Sequence, residues 1–119
     1  MIRLNEIAFG AALPVDGYGP GFFRIGGKVV RGPVLIGPAG VGAWGGLGDT
    51  AALAALGDGV DVLLLGMGRT IAHPPASLRD AVEAAGLALE PMDSAAAART
   101  YNMLLAEGRR VAAALLPVA

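Results

Sequence analysis

A chain of 119 residues with nine Lys and Arg, ten Asp and Glu, one His and a net charge of -1 is long enough to bury a core as one domain over 1–119. Its basic residues are scattered from Arg3 to Arg110, without the clustered positive stripe that a nucleic acid needs. Cysteine is absent, which excludes disulfides, a thiolate nucleophile and a thiolate metal site and suits a reducing compartment.

The longest uncharged stretch, Gly32 to Gly48, is broken by Pro33, Pro38 and repeated glycines, so it does not read as a membrane-spanning helix. The early Arg3 and Glu6 do not resemble a secretory or organelle leader, and a cytoplasmic protein is expected. In the first third, Gly and Pro separate the short extended segments Phe22 to Ile25, Lys28 to Val30 and Val34 to Ile36. These predict hairpins or a meander, with Gly26-Gly27 as a two-residue turn and Gly17, Gly19 and Gly21 as turn residues.

From Asp49 the texture changes. Asp49 or Thr50 can cap a short Ala/Leu helix ending near Gly57. Val62 to Leu65, between Asp61 and Gly66, is a continuous apolar run of the kind a strand shows when both its faces are covered. Pro75 opens a helix through Leu78, Val82 and Ala85 that Gly86 can close, and Leu87 to Leu89 is extended. Asp93 or Ser94 caps a further helix that Gly108 ends, and Val111 to Leu116 is assigned to a strand before Pro117. The alternation predicts an α/β fold of α+β character: one domain with a mixed central sheet, helices packed on it and an antiparallel N-terminal strand region.

The helix from Asp93 to Gly108 carries Arg99-Thr100-Tyr101-Asn102, four hydrogen-bonding side chains in one turn of an Ala-rich segment. Helical spacing puts Ala97, Tyr101, Leu104 and Leu105 on a core face, and Arg99, Asn102 and Ala106 on another. Arg99 in the N-terminal half and Glu107 in the last turn oppose the helix dipole, which points to specific partners for both. Arg99, Asn102 and Glu107 are read either as ties from the helix to neighbouring backbone or as a ligand or partner site.

Gly66-Met67-Gly68-Arg69 follows the buried strand, where open α/β sheets place ligands and where glycine amides can approach an anion. It lacks the third glycine and immediate helix of a dinucleotide fingerprint, so its two readings are a structural turn and a small-anion or partner pocket with Arg69 and Arg99. His73 has neither Cys nor paired carboxylates near it from which to build a metal site, and no metal or cofactor is expected. Ser77 and Ser94 read as helix-start residues rather than nucleophiles, and no catalytic set is complete. Trp44, in a glycine-rich loop, is read as core packing or as an aromatic anchor for a partner.

Pro91-Met92-Asp93-Ser94, Ala98 to Asn102 and Leu104 to Arg109 together resemble the signature of the complex I assembly factor 3 and adipogenesis-associated domain family. Gly17-Tyr18-Gly19, Phe23-Arg24, Trp44 and Asp61 to Gly68 agree with its bacterial members. Met67 stands where that family usually has a small hydroxyl residue, Ala98 where Cys is frequent and Gly45 where Pro is common. The resemblance implies a three-layer α/β fold with a mixed sheet, a role for mitochondrial members in building respiratory complex I, and no accepted enzymatic activity. The leading expectation is a non-catalytic interaction or assembly protein of a bacterium, with protein partners that include respiratory complex subunits. The alternative is a small-anion or small-ligand protein, an enzyme being one form of it, that uses the Gly66 to Arg69 turn and Arg99. A third is self-association through a strand edge or Trp44.

Overall fold

A computed structural model describes residues 12–118. Three antiparallel strands come first: β1 (Val15–Gly19), β2 (Phe22–Ile25) and β3 (Lys28–Arg31). Gly26 and Gly27 make the β2–β3 turn at φ 57 and 84, two consecutive left-handed residues as a type I′ hairpin requires. Gly21 is a turn residue as expected, but Gly17 and Gly19 lie within β1. A side chain at Gly19 would come within 2.5 Å of the Phe22 ring, so that glycine is a seat for the aromatic.

The second sheet has five strands in the order β5-β4-β8-β6-β7, formed by β4 (Val34–Gly37), β5 (Gly40–Ala43), β6 (Val62–Gly66), β7 (Ala88–Met92) and β8 (Val111–Leu115). It is mixed: β6 lies parallel to both β7 and β8, whereas β4 pairs antiparallel with β5 and β8. The helices are α1 (Thr50–Ala54), α2 (Ala76–Ala84) and α3 (Ser94–Ala106), with a short 3-10 turn over Gly57–Gly59. The all-buried β8 alternates between two cores. Val111, Ala113 and Leu115 join Leu64, Phe23, Ile25, Ala97 and Tyr101 on the face shared by α3 and the three-stranded sheet. Ala112 and Ala114 join Leu63, Leu65, Leu53, Leu78 and Val82 on the face covered by α1 and α2. This is the expected three-layer arrangement around a mixed sheet.

Local chemistry sets the helix ends. The Asp49 and Asp93 carboxylates accept from Ala52 N and Ala96 N at the starts of α1 and α3. At the end of α3, Gly108 at φ 78 lets its N–H donate to the Leu105 carbonyl and that of Arg109 to the Leu104 carbonyl, a Schellman ending. Gly86 ends α2 the same way through the Glu83 and Val82 carbonyls, and buries Leu87 near Val82. No helix among the described residues is long and apolar enough to cross a membrane.

Candidate functional site

The connection from β6 through α2 steps outward to the edge strand β7, and that from β7 through α3 steps back past β6 to β8. Since the two crossovers run in opposite directions, one common hand puts α2 and α3 on opposite faces, where the structure has them. The carboxyl ends of β6 and β7 therefore form a switch point, the place where open α/β sheets take ligands. The Gly66 to Arg69 turn and the start of α3 meet there.

Internal bonds close this crevice. Met67 N donates to the Met92 carbonyl at 2.8 Å, and Gly68 N donates to Ser94 Oγ at 2.8 Å. Ser94 N donates to the Gly68 carbonyl at 2.8 Å, Ser94 Oγ donates to the Leu116 carbonyl at 2.6 Å, and Leu116 N donates to the Gly66 carbonyl at 2.9 Å. Ser94 is 0% exposed, and its hydroxyl binds the turn after β6 to the end of β8. It is the first residue of α3, with Asp93 as the cap, which decides between the two candidate caps. A side chain at Gly66 would lie 2.7 Å from Ser94 Oγ and 2.9 Å from Ser94 Cα, so this glycine admits the start of α3. Met67 packs against the core under α1 and α2. Arg69 is exposed.

Arg99 and Asn102 are not brought to that turn. Asn102 Oδ1 accepts from Val15 N and Asn102 Nδ2 donates to the Val15 carbonyl, both at 2.8 Å. One side-chain amide thus makes the pair of bonds that a neighbouring strand would make with β1. Tyr101 sits in the core and donates its hydroxyl to the Leu13 carbonyl at 3.0 Å, and burial pushes its pKa up to about 12. Arg99 is exposed and lines a cavity of about 260 Å³ with Asp16, Tyr18, Ala95, Ala98 and Asn102. None of that cavity's walls comes from the Gly66 to Arg69 turn. Glu107 is the exposed C-cap residue of α3.

Trp44 is core: it is 3% exposed and its indole N–H donates to the Asp49 carbonyl at 3.2 Å. The Gly45 and Gly46 turn brings the start of α1 back to the ring, with Gly45 N donating to Asp49 Oδ2 at 3.0 Å, so the ring takes the place that its core-packing reading expects. His73 is exposed in the loop before α2 and lines a cleft of about 380 Å³ with Ile71, Pro74, Arg79 and Pro91. Among the described residues no three His, Cys, Asp or Glu side chains are grouped to hold a metal. Asn102 ties α3 to neighbouring backbone, as one of its two readings expects, but which backbone groups it and Ser94 bond was hidden in the sequence, since each partner lies more than 20 residues away.

A mixed sheet between a two-helix layer and a layer of one helix plus an antiparallel sheet, its switch point sealed by a buried serine, defines a small three-layer α/β protein. The chain belongs to the family described as a protein of unknown function (DUF498/DUF598), which it matches over residues 15–116. It is 58% identical over 114 residues to an uncharacterised protein of Rhodobacter capsulatus, covering 96% of this chain and 92% of that protein. It is 31% identical over 115 residues to the NADH dehydrogenase (ubiquinone) 1 alpha subcomplex assembly factor 3 of Danio rerio, covering 90% of this chain and 66% of that protein. A crystal structure described as an outer membrane protein from Bartonella henselae matches with a TM-score of 0.84 at 33% identity, over 92% of this chain and 98% of that one. The resemblance to the assembly factor is thus a relationship over most of the chain.

Proposed function

We propose that this protein is a non-catalytic interaction or assembly protein of the bacterial cytoplasm, acting on subunits or assembly intermediates of a respiratory complex. The observation that carries this reading is the relationship to an assembly factor over 90% of the chain. The sealed switch point supports it, because the crevice that would hold a ligand in such a sheet is occupied by the chain's own Ser94 bonds.

Affinity capture of the full chain from its native cell, read by mass spectrometry, is expected to recover respiratory complex subunits from the cytoplasmic fraction. Recovery of none, together with unchanged respiration after gene deletion, would refute the proposal.

The small-anion alternative needs Arg69 and Arg99 to converge on free amides of Met67 and Gly68. Both amides already donate within the chain. Titration of the labelled protein with inorganic phosphate is therefore expected to leave the amide resonances of Gly66 to Arg69 unshifted, and a saturable shift there would restore the alternative.

A further inference from the structure

The edge strand β5 is built differently from the rest of the sheet. Its register sets Val41 opposite Ile36 and Ala43 opposite Val34 on the α3 side, which leaves Gly40 and Gly42 opposite Gly37 and Leu35 on the α1 side. On that side β5 carries no side chains. The result is a cavity of about 230 Å³ beside the edge, bounded by the whole of β5 with Leu35, Gly37, Ala39 and Leu56 and lined by no charged residue.

The edge itself is open. Trp44 N donates to the Pro33 carbonyl, which turns the alternate residues Gly42 and Gly40 toward β4 and the N–H and C=O groups of Val41 and Ala43 away from it. Among the described residues β4 is the only strand paired with β5. Of the devices that ordinarily guard an exposed edge, β5 has short length, at four residues, but no Lys, Pro or bulge.

Gly42 has no structural reason to be glycine. Its φ is not left-handed and a Cβ there would meet nothing within 4 Å, unlike Gly40 at φ 115. A larger residue would cover Leu35, so the glycine keeps the pocket open.

We propose that the outer edge of β5 and its glycine-walled pocket take up an extended apolar segment of another protein, added as a sixth strand. This rests on the reading of the chain as an interaction protein. Charge decides the chemistry of the occupant. No charged residue occurs from Gly32 to Gly48, so a charged side chain over the pocket would leave water without a partner, whereas aliphatic residues at alternate positions would fill it.

A second copy does not fit. A β5 strand paired antiparallel about a two-fold axis lays its own Gly40 and Gly42 over the same face and fills nothing.

The test is titration of the isotope-labelled full chain with a capped peptide of alternating Leu and Thr, followed by NMR. Saturable shifts are expected at Val41, Ala43, Leu35 and Leu56. Gly42→Leu, which fills the pocket from within, and Val41→Pro, which removes an outward donor that the β4 pairing does not use, should each weaken binding about tenfold or more. Absence of saturable shifts, binding indifferent to both variants, or self-association through β5 in ultracentrifugation would overturn the proposal. Capture of respiratory subunits that survives Gly42→Leu would refute the β5 site alone. Peptide binding at β5 with no captured subunit and unchanged respiration on deletion would refute the respiratory reading alone.

Discussion

Gly66 and Ser94 show how two small residues fix the position of a helix. A methyl at Gly66 meets Ser94 Oγ, Leu115 Cδ2 and the backbone of Ser94, all within 2.9 Å. Gly66→Ala should therefore cost about 1 to 3 kcal/mol of overpacking in urea denaturation. Gly42→Ala, with open space around it, should change stability by less than about 0.5 kcal/mol. Ser94→Ala orphans the Gly68 N–H and the Leu116 carbonyl and should cost about 1 to 3 kcal/mol. Since removing Oγ also relieves one of the Gly66→Ala clashes, the double variant should lose less than the sum of the two singles.

Tyr101 supplies a test by pH. Its phenol titrates near 10 when unfolded and near 12 in the folded protein, where burial disfavours the phenolate. Between these values the unfolded chain binds fewer protons than the folded one, so stability falls as pH rises. The loss approaches roughly 2 to 3 kcal/mol at about pH 12. Denaturation of Tyr101→Phe should lack this component of the alkaline decline, and an equal decline in both proteins would contradict it.

At the scale of elements, the helices were legible because their signals are local. Asp49, Asp93, Gly86 and Gly108 each act within a few residues of themselves. Gly86→Ala and Gly108→Ala should each cost about 1 to 2 kcal/mol in thermal unfolding, because each puts a Cβ into a left-handed backbone. The strands β1 and β5 were not legible, since Gly17, Gly19, Gly40 and Gly42 interrupt the alternation that marks a strand. Their extended form comes from pairing with β2 and β4 and, for β1, from the Asn102 amide.

Asp61 and Arg110, beside the starts of β6 and β8, form an exposed two-pronged pair at 2.6 and 3.2 Å. The hydrogen bond from Arg110 holds the Asp61 carboxyl below its usual range. Any stability it adds is therefore present above the ordinary carboxylate pKa and disappears as acid takes the pH down through the lowered value. With both groups in water, Asp61→Asn should leave the melting temperature nearly unchanged at neutral pH.

Across the whole molecule, the three-stranded sheet is joined to the rest by contacts of high sequence separation. Val15 binds Asn102 across 87 residues, and Leu13 binds Tyr101 across 88. Hydrogen exchange should show this sheet opening separately once the tie is cut. In Asn102→Ala the amides of β1 to β3 should exchange faster, while those of β6 and β8 keep their protection. Uniform acceleration would mean that the two sheets unfold only together.

The sequence by itself determined the family, the caps and stops of the helices, the Gly26-Gly27 hairpin and the buried strands β6 and β8, because periodicity, capping and turn chemistry act over short distances. It also placed Tyr101 on the core face of α3. Only the tertiary structure decided which backbone groups Asn102 and Ser94 bond, that Gly66 admits the start of α3, that Trp44 is interior, and that glycines on β5 leave an open edge. Those outcomes depend on which distant backbone groups need partners once the layers are stacked, and residue spacing along a chain does not encode that pairing.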